Sequence, residues 1–126
     1  MSKKALVILN SGPEDPCRAT AAFLTAKALA EKGEDVAIWL YNQAVYLVVE
    51  GVPAEVQAPG LPPFEDLLLF LTEVKNAPIY IGVSCAIGRG LVDPQEKPKV
   101  EFCCGELANP AKLAALIEEA DYILTF

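Results

Sequence analysis

Apolar residues cluster in four short runs, Lys4 to Asn10, Asp35 to Tyr41, Ile79 to Ser84 and Asp121 to Phe126. Runs of this length closed by turn-forming residues are the pattern of strands buried on both faces of a parallel sheet. Between the runs the apolar spacing becomes helical. From Cys17 to Lys32, Ala22, Ala26, Leu29 and Ala30 recur on one face, and Gly33 stands where a helix end favours positive φ. Phe64 to Asn76 carries Glu65 and Asp66 near its start and Lys75 near its end, each sign matching the helix dipole. Asn109 and Pro110 open a last helix, one as a cap and the other as a first-turn residue, and alanine and leucine carry it to Ala120.

Two such strands joined by a helix imply a parallel pair. Lys4 to Asn10 is placed as the central strand, and Val100 to Cys104 as a short fourth one. Asn42 is read as the cap of a short apolar helix from Gln43 to Glu50. Gly51 to Pro63, with two glycines and four prolines, is read as an irregular loop. The pattern predicts an α/β protein: a single three-layer α/β/α domain over residues 1–126, with a mostly parallel five-stranded sheet.

Composition narrows the function. A hydrophobic share of 53% in 126 residues exceeds what one core of this size needs and points to subunit contacts. The net charge of −7 repels phosphate backbones and anionic lipid surfaces, so neither nucleic acid nor a membrane is an expected partner. No apolar run approaches the ~20 residues of a membrane span, and the protein is expected in the cytoplasm, where thiols stay reduced.

Histidine is absent, which removes the usual general base near neutral pH and the commonest metal ligand. Any catalysis must then rest on thiols, carboxylates, Lys, Tyr or backbone groups. Cys85 directly follows the third strand, where ligands gather in open parallel sheets, and Cys17 opens the first helix. A free thiol is only about 3% ionised at pH 7, and lowering its pKa by two units takes about 2.7 kcal/mol. A helix terminus typically contributes ~0.3–1 kcal/mol. Arg89, one helical turn beyond Cys85, is the second contributor, and a persulfide, which ionises more readily than a thiol, would need less help.

Cys103 and Cys104, if in a strand, point to opposite sides and cannot share a site. The four cysteines contain no C-x-x-C pair, so neither a metal nor another cofactor is expected. Ser11 to Pro16 has one glycine and two acids and reads as a plain turn, not a phosphate cradle. Gly88-Arg89-Gly90 is too short for a dinucleotide fingerprint.

Four segments together resemble the DsrE/DsrF-like family of small sulfur-relay proteins. They are Ser11 to Pro16 with the alanine-rich helix after it, Gly33 to Leu40, Ile79 to Leu91, and Ala120 to Phe126. The resemblance implies an α/β domain that assembles as a trimer or hexamer and carries sulfur as a persulfide on its strand-end cysteine, here Cys85. Sulfur-donor and sulfur-acceptor proteins would be its partners. Many members have a cysteine at the position that looks like Gly82, sometimes with a second at the position of Cys85; only the second is present here.

The expected function is thus a cytosolic sulfur carrier or sulfurtransferase, with Cys85 as the thiol and Arg89 as the group stabilising its anion. Two other readings fit the residues: a non-catalytic oligomeric binding module of the same fold, and a thiol redox sensor that pairs Cys17 with Cys85.

Overall fold

A computed structural model describes residues 2–126. The strands are β1 (Lys4–Leu9), β2 (Asp35–Leu40), β3 (Ile79–Gly82), β4 (Glu106–Ala108) and β5 (Tyr122–Thr125). The helices are α1 (Pro16–Glu31), α2 (Phe64–Leu69), α3 (Val83–Gly88) and α4 (Pro110–Glu119). All strand pairs are parallel and the sheet order is β4-β3-β2-β1-β5. The chain builds outward from β1 to β4 on one side and returns to place β5 on the other. The middle position therefore belongs to β2, not to β1 as the apolar pattern suggested.

Side-chain alternation divides the sheet into two faces. Ala5, Val7 and Leu9 of β1, Val36, Ile38 and Leu40 of β2, and Ile79 and Ile81 of β3 enter the main core. Phe23, Ala26 and Ala30 from α1, and Phe64, Leu67 and Leu68 from α2, meet them there. The intervening residues Leu6, Trp39 and Tyr80 face the other way, where Leu113, Leu116 and Ala120 of α4 and its end cover them. Period-two side chains that are apolar on both faces require a layer on each side, and the chain supplies a full layer on one face and one helix on the other.

The helix boundaries follow local chemistry. Asp15 accepts from the backbone N–H of Arg18 at 3.1 Å, with Pro16 just inside the start of α1, and Gly33 follows its end at φ +93°. Asn109 caps α4 by accepting from the N–H of Lys112 at 3.0 Å, with Pro110 in its first turn. The helix expected over 64–76 runs as α2 and then as a π turn, Phe70–Val74, before Asn76 ends it at φ +53°.

Two expectations fail for identifiable reasons. Val100 to Cys104 does not enter the parallel sheet. It pairs antiparallel with the segment around Val49, through the N–H of Glu50 donating to Glu101 (2.8 Å) and that of Cys103 donating to Val48 (2.8 Å). The chain then turns at Gly105, φ +90°, where a β-carbon would stand 3.1 Å from Ile81 Cδ1, and only then forms β4. Asn42–Val48 is a 3₁₀ turn with no side-chain cap, because the Asn42 amide is engaged elsewhere. The loop 51–63 is irregular as expected, but Pro53, Val56 and Ala58 anchor it in the interior.

Phe23 and Phe64 join the two helices of the main core, fully buried, with ring centroids 4.6 Å apart. Phe23→Ala is expected to lower unfolding free energy by about 3–5 kcal/mol in denaturant titration; a loss under about 1 kcal/mol would show that this contact is not central to the core.

Candidate functional site at the carboxyl ends of the strands

Register aligns Leu9, Leu40 and Ile81 across β1, β2 and β3, so the segments that follow leave the sheet at one level and converge. β3 stops at Gly82, and Cys85 falls in the first turn of α3, half-buried, two residues deeper into the helix than the sequence pattern implied. Its Sγ accepts a hydrogen bond from the backbone N–H of Asn42 at 3.2 Å. The donor thus comes from the loop after β2, across the site, and not from the backbone that follows Cys85. At six residues, α3 adds little dipole of its own.

Asn42 presents that N–H because its backbone is left-handed, φ +52°. Among non-glycine residues asparagine tolerates this conformation best, but it still has to be held. Arg89 holds it. One guanidinium nitrogen, Nη2, donates to Asn42 Oδ1, Nε donates to Gln43 Oε1 at 2.6 Å, and Nη1 donates to the carbonyl of Cys85 at 3.2 Å. Each of its three nitrogens is spent on an oxygen. Arg89 therefore acts on the thiol through the turn that carries the donor, instead of by direct contact with sulfur.

Gly12 supports the same turn from behind. A β-carbon there would lie 2.1 Å from the Gln43 carbonyl oxygen and 2.7 Å from its carbon, an overlap no rotamer relieves. The Glu14 carboxylate accepts from the N–H of Gly12 at 2.9 and 3.1 Å and fixes the loop in place. The loops after β1, β2 and β3 are thus locked together through Gly12, Gln43, Arg89 and Asn42 around one sulfur.

Beside Cys85 lies a pocket of about 90 Å³, lined largely by apolar surface from Trp39, Tyr41, Gly82, Val83 and Leu113. Gly82 forms part of its wall, and a β-carbon on Gly82 would stand 3.2 Å from the Leu40 carbonyl and 3.5 Å from Trp39 Nε1.

The remaining thiols form no disulfide among the described residues. Cys17 sits exposed in the first turn of α1, and among the described residues neither its sulfur nor that of Cys85 contacts the other. Cys103 and Cys104 occupy a turn, not a strand, and their sulfurs are 3.9 Å apart instead of on opposite sides. Burial raises the pKa of both, that of Cys104 to about 12, with the neighbouring Cys103 adding to the shift. They remain protonated at neutral pH. Among the described residues no group of three or more Cys, Asp or Glu is gathered for a metal ion.

Sequence reasoning placed Cys85 and Arg89 but passed over Asn42 as a cap, Gly12 as a plain turn residue and Trp39 as part of a strand. The available signal was position, since Asn42 and Gln43 follow a strand's carboxyl end just as Cys85 does.

The structure is that of a small α/β protein with a half-buried thiol, an amide donor and a largely apolar pocket at the carboxyl edge of an all-parallel sheet. The model of the DsrE/DsrF-like family matches residues 3–126, and the chain belongs to that family. It is 29% identical over 109 residues to a protein of Proteus mirabilis (strain HI4320) named Sulfurtransferase TusD, covering 86% of this chain and 82% of that one. The crystal structure of the ychN protein from E. coli superimposes over the whole of both chains with a TM-score of 0.76 at 25% identity.

Gly12→Ala is expected to displace the Asn42–Gln43 turn and slow iodoacetamide labelling of Cys85 on the order of tenfold, the effect of one lost hydrogen bond to a charged group. Cys17 is the internal control and should label at an unchanged rate. Equal Cys85 rates in the two proteins would refute the positioning role. In the unsubstituted protein at neutral pH, peptide mapping should find label on Cys85 and Cys17 well before Cys104, and early labelling of Cys104 would contradict its raised pKa.

Proposed function

We propose that the protein is a sulfur carrier or sulfurtransferase that holds sulfur as a persulfide on Cys85. The Cys85 thiolate attacks the outer sulfur of a donor persulfide, R–S–SH. The donor's S–S bond breaks, R–S⁻ leaves, and Cys85–S–SH remains with its outer proton free to dissociate. An acceptor thiolate then attacks that outer sulfur and the Cys85 thiolate is released. Sulfur moves at the same oxidation level throughout, so no external oxidant is needed.

The observation that carries this reading is the Asn42 N–H on Cys85 Sγ, a backbone donor placed on the sulfur that attacks and later leaves. Arg89 serves by orienting Asn42 and Gln43. Membership of the DsrE/DsrF-like family and likeness to a protein named a sulfurtransferase support the same chemistry. Sulfur-donor and sulfur-acceptor proteins of the cytoplasm are the partners this reading calls for. A homo-oligomer, trimer or hexamer, is supported by exposed apolar residues on α4 and the edge strand β5, Ile117 at 42% and Ile123 at 41%. No disulfide joins Cys17 to Cys85 among the described residues, and the binding-module reading leaves the donor on Cys85 unused.

Protein treated with sodium polysulfide and desalted is expected to gain the mass of one sulfur atom that cyanide removes, and Cys85→Ser is expected to gain none. Sulfur uptake by Cys85→Ser equal to that of the unsubstituted protein would overturn the assignment.

A further inference from the structure

Trp39 is the chain's single tryptophan. It is 2% exposed, it lines the pocket beside Cys85, and its indole N–H is buried without a hydrogen-bond partner. Buried donors in folded proteins are nearly always satisfied, and an orphan beside a reactive group calls for a functional account. The ring is stacked on Tyr80 with centroids 6.0 Å apart, which fixes its plane. Its Nε1 lies 3.5 Å from where a β-carbon on Gly82 would stand. Any side chain at position 82 would pack directly on that edge of the indole, whose nitrogen is already closed off from solvent. Gly82 has φ −59°, so the backbone itself does not demand glycine.

Resting on the reading of Cys85 as a sulfur carrier, we infer that the Trp39 indole N–H is the hydrogen-bond donor for the outer sulfur of the Cys85 persulfide, which reaches it by a small shift at Gly82, where no side chain stands in the way. The two sulfurs then have separate donors: Asn42 N–H serves the inner one, and Trp39 Nε1–H serves the outer one. The size is right, since one water needs ~10–15 Å³ and the pocket offers about 90 Å³. Its chemistry is selective. Largely apolar walls, with Ser84 and Tyr41 also in the lining, suit a soft, singly charged sulfur anion better than a polar headgroup that needs several partners. Donation to the ionised outer sulfur lowers its reactivity toward stray thiols and water while it waits, so Trp39 is a positioning and retention residue for the carried atom.

The test follows the lone indole N–H resonance by NMR as the protein is loaded with sodium polysulfide, with intact-mass spectrometry in parallel to count sulfur on Cys85. Loading is expected to move the indole proton downfield, removal of the sulfur with cyanide to restore it, and Cys85→Ser to show no change. Trp39→Phe keeps the stacked ring without the N–H. Gly82→Ala puts a methyl against the indole edge at an allowed φ, with the Leu40 carbonyl, 3.2 Å from the new β-carbon, having to give by a few tenths of an ångström. Both, checked for native helix content, are expected to lose loaded sulfur to a small thiol about tenfold faster than the unsubstituted protein, as for loss of one hydrogen bond to a charged group. A protein that carries one sulfur on Cys85 with an unmoved indole resonance overturns the inference while leaving the carrier reading intact. So does a Trp39→Phe protein that retains sulfur as long as the unsubstituted one. Failure of the unsubstituted protein to take up any sulfur overturns both.

Discussion

The site depends on a two-residue turn, Asn42 and Gln43, whose backbone must stay left-handed at Asn42 for its N–H to reach the sulfur. That conformation is not self-sustaining in a non-glycine residue. It persists because Arg89 grips both side chains from α3 and the β-carbon-free Gly12 lies against the Gln43 carbonyl from the β1 loop. Loops after three adjacent strands therefore set the position of one hydrogen. A hydrogen bond to a charged group contributes about 1.5–3 kcal/mol, more than the ~0.3–1 kcal/mol of a helix terminus.

The sheet makes this placement possible. Parallel register brings Leu9, Leu40 and Ile81 to one level, so each loop starts from a fixed point. The two faces then divide the labour. The main core, anchored by Phe23 and Phe64, holds the strands rigid. The thinner face, covered by α4 alone, keeps Trp39 stacked on Tyr80, and Trp39 and Leu113 form part of the wall of the pocket beside the thiol. Ile117 and Ile123, exposed on that side of the chain's end, extend an apolar surface beyond what α4 covers.

Much of the fold was legible in the sequence, because continuous apolar runs, Asn109–Pro110 and Gly33 each express a local rule. What was misread depended on contacts between distant segments. Val100 to Cys104 has the composition of a strand, but its backbone pairs with Val48 and Glu50, and no local pattern encodes that choice. The same holds for the site. Cys85 could be found from its place after a strand, and Arg89 from its spacing on one helical turn. The sequence could not show that Arg89 points to Asn42 and Gln43, some forty-six residues away for the latter, instead of to the sulfur. Gly12 looked like an ordinary turn glycine because its reason, a carbonyl from another loop, is visible only in three dimensions.

In the proposed carrier, Arg89 serves Cys85 through geometry and not through charge, and Arg89→Lys separates the two. Lysine keeps the positive charge but cannot donate simultaneously to Asn42, Gln43 and the Cys85 carbonyl. The rate of sulfur uptake from polysulfide, measured for Arg89→Lys against Arg89→Ala, is the decisive comparison. Positioning requires both to fall together, by about tenfold; a lysine variant that keeps the unsubstituted rate while the alanine variant fails would contradict the account.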